Sequence, residues 1–250
     1  MSVGRAALRW AWMVAGMTVI TLGIRMQVLA ELGLGPWDVL HMGLSLRTPL
    51  TFGQASQVVG AVLVVAALVL GEVPRAGTLL NMWYVGALYD VVEAKGWLPP
   101  PVSVPMRWAY LVGGVLLLAC GSAWYLSARL GSGPRDGMML ALARRLHRAR
   151  SGRDEPAGSP GAARHAGVVR GVLEGAATLA GYFLGGPVGA GTIAAAALIG
   201  PSMAFFLPRF AFTGRWWPAP ETRLQAPAVV AAGSQVPQGS PRRAWEPSRR

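Results

Sequence analysis

Long apolar runs, broken by short segments bearing glycine, proline and arginine, set the rhythm of the chain. A helix that crosses a bilayer needs roughly 17–25 mostly apolar residues. Six stretches reach or approach that length: 8–30, 55–70, 78–92, 108–128, 168–184 and 191–206. Two more, 36–46 and 134–146, are too short and too polar to span alone and read as half-membrane or interfacial helices. The pattern predicts an all-α fold, a polytopic membrane helical bundle of about six spans plus the two short helices.

The first run could pass for a secretory signal, with Val28-Leu29-Ala30 as a cleavage site. An internal repeat argues against that reading. Leu8-Arg9-Trp10-Ala11-Trp12 matches Met106-Arg107-Trp108-Ala109-Tyr110, and Gly16 and Gly23 match Gly114 and Gly121. The register holds through Glu31 to Asp38 and Arg129 to Asp136, at one offset of 98 residues, the distance from Pro36 to Pro134. Further on, Leu70-Gly71, Gly77-Thr78 and Gly86 match Leu184-Gly185, Gly191-Thr192 and Gly200 at 114 residues, the distance from Thr78 to Thr192. The second copy therefore carries an insertion, placed in the Arg-, Gly-, Ser- and Pro-rich stretch 148–166, which reads as a flexible loop. The expected organisation is a first membrane repeat over 1–98 and a second over 99–212, with a cytoplasmic loop at about 147–167. A disordered cytoplasmic tail is expected over 213–250.

Composition agrees with a membrane setting. The chain is 53% hydrophobic and 14% charged, against about 25% charged in typical soluble domains. The formal charge of +12 does not make nucleic acid an expected partner, because the arginines cluster between and after apolar runs. Arg5 and Arg9 precede the first span. Arg144, Arg145, Arg148, Arg150, Arg153 and Arg164 lie between the fourth and fifth, and seven more arginines follow the sixth. With six spans these regions share one side, expected to be cytoplasmic together with both termini. Three spans per copy is an odd number, so the copies are expected to be inverted repeats, an architecture many secondary transporters use. The lone cysteine, Cys120, reads as a buried filler thiol.

The repeated Gly-x-Gly-Pro-x-Asp is the sharpest local signal. Gly33, Gly35, Gly131 and Gly133 permit a backbone reversal, and Pro36 and Pro134 suit a first helical turn. Asp38 and Asp136 then complement the helix dipole and can bond free N–H groups. The bland account is a pair of helix-start devices; the functional one aims two short helix N-termini at a shared pathway. Asp38, His41 and Ser45 share one face of the first short helix, where the second copy has Met139 and Ala143 in place of His41 and Ser45. An aqueous face is the preferred reading of that stripe. Among ionisable residues in the spans, each costly in lipid, Arg25 is expected to snorkel to the outer interface. Glu174 is a candidate coupling carboxylate, with Arg170 as its i,i+4 partner. Asp90 reads as interfacial. Thr78, Asn81 and Thr192 open the third and sixth spans, where packing is expected and a pseudo-symmetric site is the alternative. His41, His147 and His165 form no metal-spaced group, and the GxxxxGK[ST], HExxH and GxSxG signatures are missing. No enzyme activity, catalytic residue, metal or cofactor is expected.

Taken together, Leu32-Gly33-Leu34-Gly35-Pro36-Trp37-Asp38, Gly77-Thr78-Leu79-Leu80-Asn81, Leu130-Gly131-Ser132-Gly133-Pro134-Arg135-Asp136 and the run from Gly185 to Thr192 resemble the YczE/YyaS/YitT family of bacterial integral membrane proteins, and its YczE-like branch most closely. The resemblance covers roughly 8–207. It implies a multi-pass protein of the bacterial cytoplasmic membrane and brings no substrate or catalytic residue to carry over. The leading expectation is a small-solute transporter or transport-related component with its pathway between the halves. The alternatives are a scaffold docking cytoplasmic proteins through the Arg-rich loop and tail, and a solute-binding subunit of a larger transporter. Expected partners are the lipid bilayer, a small-molecule solute, a cytoplasmic protein at that loop and tail, and a second copy in a homo-oligomer.

Overall fold

The breaks between apolar runs become helix boundaries. The computed structural model describes residues 3–151 and 160–210. Its helices are α1 (Val3–Ala30), α2 (Pro36–Arg47), α3 (Phe52–Val69), α4 (Ala76–Ala94), α5 (Val104–Ser127), α6 (Pro134–Ser151), α7 (Pro160–Phe183) and α8 (Ala190–Phe210). Among the described residues, α1, α3, α5 and α8 are long and apolar enough to cross a membrane. The helices α4 and α7 have the length, but Asn81, Asp90 and Glu93 in one and Arg170 and Glu174 in the other lower their hydropathy. The outer surface is apolar where a soluble protein's would be charged. On α3, Val58, Val62, Val65 and Val69 point outward while Gly53, Ala55, Gly60 and Ala67 point inward. The protein is a multi-pass helical membrane bundle.

Two expectations about the second half need correction. The short helix foreseen at 134–146 continues to Ser151, and α7 starts at Pro160, well before residue 168. The stretch 148–166 is therefore helical at both ends: Leu, Ala and Arg favour continuation of α6, and a proline opens α7. The rest of the expected loop (152–159) and the tail (211–250) lie outside the described residues.

The frame is the pair α1 and α5, which pack along each other in opposite directions. Near the start of α1, Arg9 donates to the carbonyls of Ala128 (2.5 Å) and Arg129 (2.9 Å), just past the end of α5. At the other end, Arg107 reaches Glu31 at 3.1 Å. Between these points the backbones touch. A Cβ on Gly16 would lie 3.0 Å from the Gly121 carbonyl, and one on Gly121 2.7 Å from the Gly16 carbonyl. For Gly23 and Gly114 the corresponding distances are 2.6 and 2.7 Å. Small residues allow this close approach, which gives helices in lipid their dispersion contacts.

Of the remaining helices, two pairs join the halves and two helices pack within their own half. Helix α2 packs on α7, and α6 packs on α3; α4 lies on α1, and α8 on α5. The loop before each short helix docks on the start of a helix from the other half. Gly191 N–H donates to the Leu32 carbonyl (2.7 Å), and Gly77 N–H to the Leu130 carbonyl (3.2 Å). Gly33 (φ 107°) and Gly131 (φ 152°) adopt left-handed backbone there. A Cβ on Gly33 would strike Thr192 Oγ1 at 2.6 Å, and one on Gly131 would strike Thr78 Oγ1 at 2.8 Å. Thr78 and Thr192 are buried in these docked turns and serve packing. Asp90 is more than an interfacial residue: it accepts from Gly53 N–H (2.9 Å) and from the Thr51 hydroxyl (2.6 Å), fastening the start of α3 to the end of α4.

Candidate functional site

Helices α2 and α6 start in docked turns on opposite halves, and their N-terminal residues approach each other. The Arg135 guanidinium lies 3.8 Å from Asp38 Oδ1 and 5.4 Å from the centre of the Trp37 ring. Behind Trp37, Asp38 and His41 are almost wholly buried, at 4% and 2% exposure. The aqueous-face reading of that stripe is thus corrected: α2 turns its polar face inward, where it packs among helices of both halves. His41 meets Phe52 edge to face at 5.7 Å, and Phe52 packs on Tyr89 at 4.3 Å. His41 Nδ1 and Asp38 Oδ1 are 3.4 Å apart, yet neither atom has a hydrogen-bond partner among the described residues. Buried polar atoms are rarely left so. The expected bond from Asp38 to free N–H groups of its helix does not form; Gly35 caps α2 without a side-chain bond.

Beside this pair lies a cavity of about 200 Å³ between the halves. By volume it would hold about seven waters. One wall comes from α2, α3 and α4 with His41, Ser56 and Asn81, and the other from α5, α6 and α7 with Ser122, Tyr125, Asp136 and Glu174. Apolar side chains from all eight helices except α2 and α6, among them Ile20, Leu63, Val85, Leu118, Leu173 and Met203, complete the lining, with Trp37 and Met139 closing it from those two. The Tyr125 hydroxyl accepts from Gly133 N–H at 2.9 Å, so α5 holds the turn that opens α6. Arg170 Nε donates to Glu174 Oε1 at 2.8 Å, the local i,i+4 pair foreseen, and both residues face the cavity.

Of the residues singled out from sequence, His41, Asn81, Gly133, Pro134, Asp136, Arg170 and Glu174 meet at this cavity. Gly35, Pro36, Asp38, Thr78 and Thr192 sit behind it and shape the turns. Arg25 stands apart and does not snorkel freely. Its guanidinium, 14% exposed, pairs with Glu93 at 2.5 Å and with the Tyr89 hydroxyl at 3.1 Å. Cys120 is half-buried rather than fully enclosed. Sequence reasoning passed over Arg135, Ser56, Ser122 and Tyr125. For Arg135 a signal existed, since it holds the repeat position of Trp37 inside the Gly-x-Gly-Pro-x-Asp motif.

The comparisons with known proteins agree with a membrane bundle and leave its activity open. Residues 7–153 match the model of a family of unknown function, DUF6198. The chain is 33% identical over 138 residues to an uncharacterized membrane protein, YczE, of Bacillus subtilis, covering 54% of this chain and 63% of that protein. It is 33% identical over 131 residues to an uncharacterized protein of Haemophilus influenzae (52% and 59% covered), and 26% identical over 132 residues to YyaS of Bacillus subtilis (51% and 64%). The chain thus spans less than two thirds of the length of the curated relatives it matches. No solved structure matches it. With the match over 7–153 covering more than half of its length, the chain belongs to the DUF6198 family and is a YczE-like membrane protein.

Proposed function

We propose that this protein passes or binds a small solute along a pathway between two inverted repeats, 1–98 and 99–212, in the bacterial cytoplasmic membrane. It acts as a small-solute transporter or a transport-related component and not as an enzyme. In this reading α1, α3, α4, α5, α7 and α8 span the bilayer, α2 and α6 enter it part way, and the arginine-rich side with both termini is cytoplasmic. The antiparallel run of the repeat-related helices α1 and α5 supports inversion, as does the exchange of packing partners between halves. The observation that carries the reading is the cavity of about 200 Å³, walled by both halves and flanked by the N-terminal turns of two short helices. Broken or short helices meeting between repeats are where transporters of this architecture hold their substrates, and the inference to transport rests on that analogy.

Single cysteines in a Cys120→Ser background test it. Ser122→Cys and Met139→Cys in the cavity are expected to react with a membrane-impermeant thiol reagent, while Leu116→Cys, on the outer apolar face, stays unlabelled. Cavity cysteines that react from neither side would sink the pathway. Ala157→Cys and Ser240→Cys should label from the cytoplasmic side together, and labelling from opposite sides overturns the six-span topology. Failure of liposome uptake across a broad solute panel, with cytoplasmic proteins captured only when 148–166 is intact, would favour a docking scaffold instead.

A further inference from the structure

We propose that the cavity takes a small organic monocation, an ammonium ion with an apolar body, and that Asp136 is its anionic contact. This rests on the pathway reading and names the chemistry of its ligand. Two arginines and two carboxylates line the cavity: Arg135, Arg170, Asp136 and Glu174. Arg170 is engaged by Glu174 at 2.8 Å. Arg135 is engaged from behind by Asp38 at 3.8 Å and by the face of Trp37. Counting Asp38 behind the wall, three carboxylates stand around two guanidiniums, and among the described residues no salt bridge closes on Asp136 itself.

This excess of carboxylate over guanidinium around a largely apolar cavity favours a cation over an anion. The apolar lining, with Ile20, Leu118 and Met203 among it, suits a hydrocarbon body rather than a hydrated inorganic ion, which would have to shed its water against alkyl groups. His41 is a second polar group on the same wall, 2% exposed, with Nδ1 turned toward Asp38 at 3.4 Å.

The test uses the full chain in lipid nanodiscs and three probes of one shape: benzylammonium, benzyl alcohol and benzoate, measured by titration calorimetry. Benzylammonium is expected to bind most tightly in the unaltered protein. In D136N its affinity should fall by about tenfold or more, the low end for a hydrogen bond to a charged group, while the weaker affinity for benzyl alcohol stays as it was. E72Q, which removes a carboxylate paired with Arg144 outside the cavity, should leave all three unchanged. The order of the three probes is read on the unaltered chain, so it holds even where D136N fails to fold. Tighter binding of benzoate, binding of none of the three, or equal weakening of alcohol and ammonium in D136N overturns the assignment. Thiol labelling of Ser122→Cys together with a preference for benzoate would sink the monocation and leave the pathway standing.

Discussion

At the start of α2 stand Trp37, Asp38 and His41; at the equivalent positions of α6 stand Arg135, Asp136 and Met139. Both helices follow the same glycine turn, open with proline, and dock on a Gly-Thr helix start from the other half. Their carboxylates nevertheless do different work. Asp38 is nearly inaccessible and is held between His41 and Arg135. Asp136 is half-buried and faces the cavity. The same asymmetry recurs deeper in the halves, where Ser56 and Gly60 of α3 correspond to Arg170 and Glu174 of α7. Backbone geometry is shared between the halves while the polar contents are not. The two walls of the cavity therefore differ in chemistry on a like scaffold.

The comparison breaks most readily at the shared backbone contacts. Gly16→Val and its repeat equivalent Gly114→Val should each destabilise the bundle by about 3 kcal/mol, the upper part of the range for overpacking. The measurement is loss of monodisperse protein and lowered thermal unfolding in detergent. Matching costs mark a two-fold contact; a large cost at one glycine only would show that the halves do not share it. Next come Gly33→Ala and Gly131→Ala, each expected to cost about 2 kcal/mol because a left-handed position gains a Cβ that also meets a threonine. Unequal melting shifts for these two would deny the reciprocal docking. The comparison sharpens at the carboxylates. Asp38→Asn should cost about 1–2 kcal/mol by leaving Arg135 poorly matched, a figure already reduced for the partial exposure of that guanidinium. Asp136→Asn should stay within about 0.5 kcal/mol and show itself only in ligand binding. Smallest of all, Arg107→Ala should change stability by about 0.5 kcal/mol, because the Arg107–Glu31 pair is exposed at one end of the α1–α5 frame.

Much of the frame could be read from residue order. Apolar runs located the helices, and the offsets of 98 and 114 residues paired Gly16 with Gly114 and Thr78 with Thr192 before any contact was known. What could not be read is which turn meets which helix start. Gly33 touching Thr192 and Gly131 touching Thr78 are contacts far apart in sequence, set by how α1 and α5 cross, and no local pattern encodes them. The end of α6 is hard to place from sequence because arginine is both a charge that signals a loop beside a membrane and a good helix former. The inward turn of Asp38 and His41 is hidden for a related reason. A polar stripe on a short helix looks the same whether it faces water or a partner helix, and only the packing of α2 on α7 decides it.

The glycine contact between α1 and α5 carries a consequence for the origin of the protein. Gly16 meets Gly121 while Gly23, the counterpart of Gly121, meets Gly114, the counterpart of Gly16. A surface that is complementary to its own copy in this way is what a symmetric homodimer presents. One half alone would already have the means to pair with another of its kind. Joining two such halves in one gene would then have released each wall of the cavity from having to be good in both places at once, and Trp37 opposite Arg135 is a divergence that two identical copies could not keep.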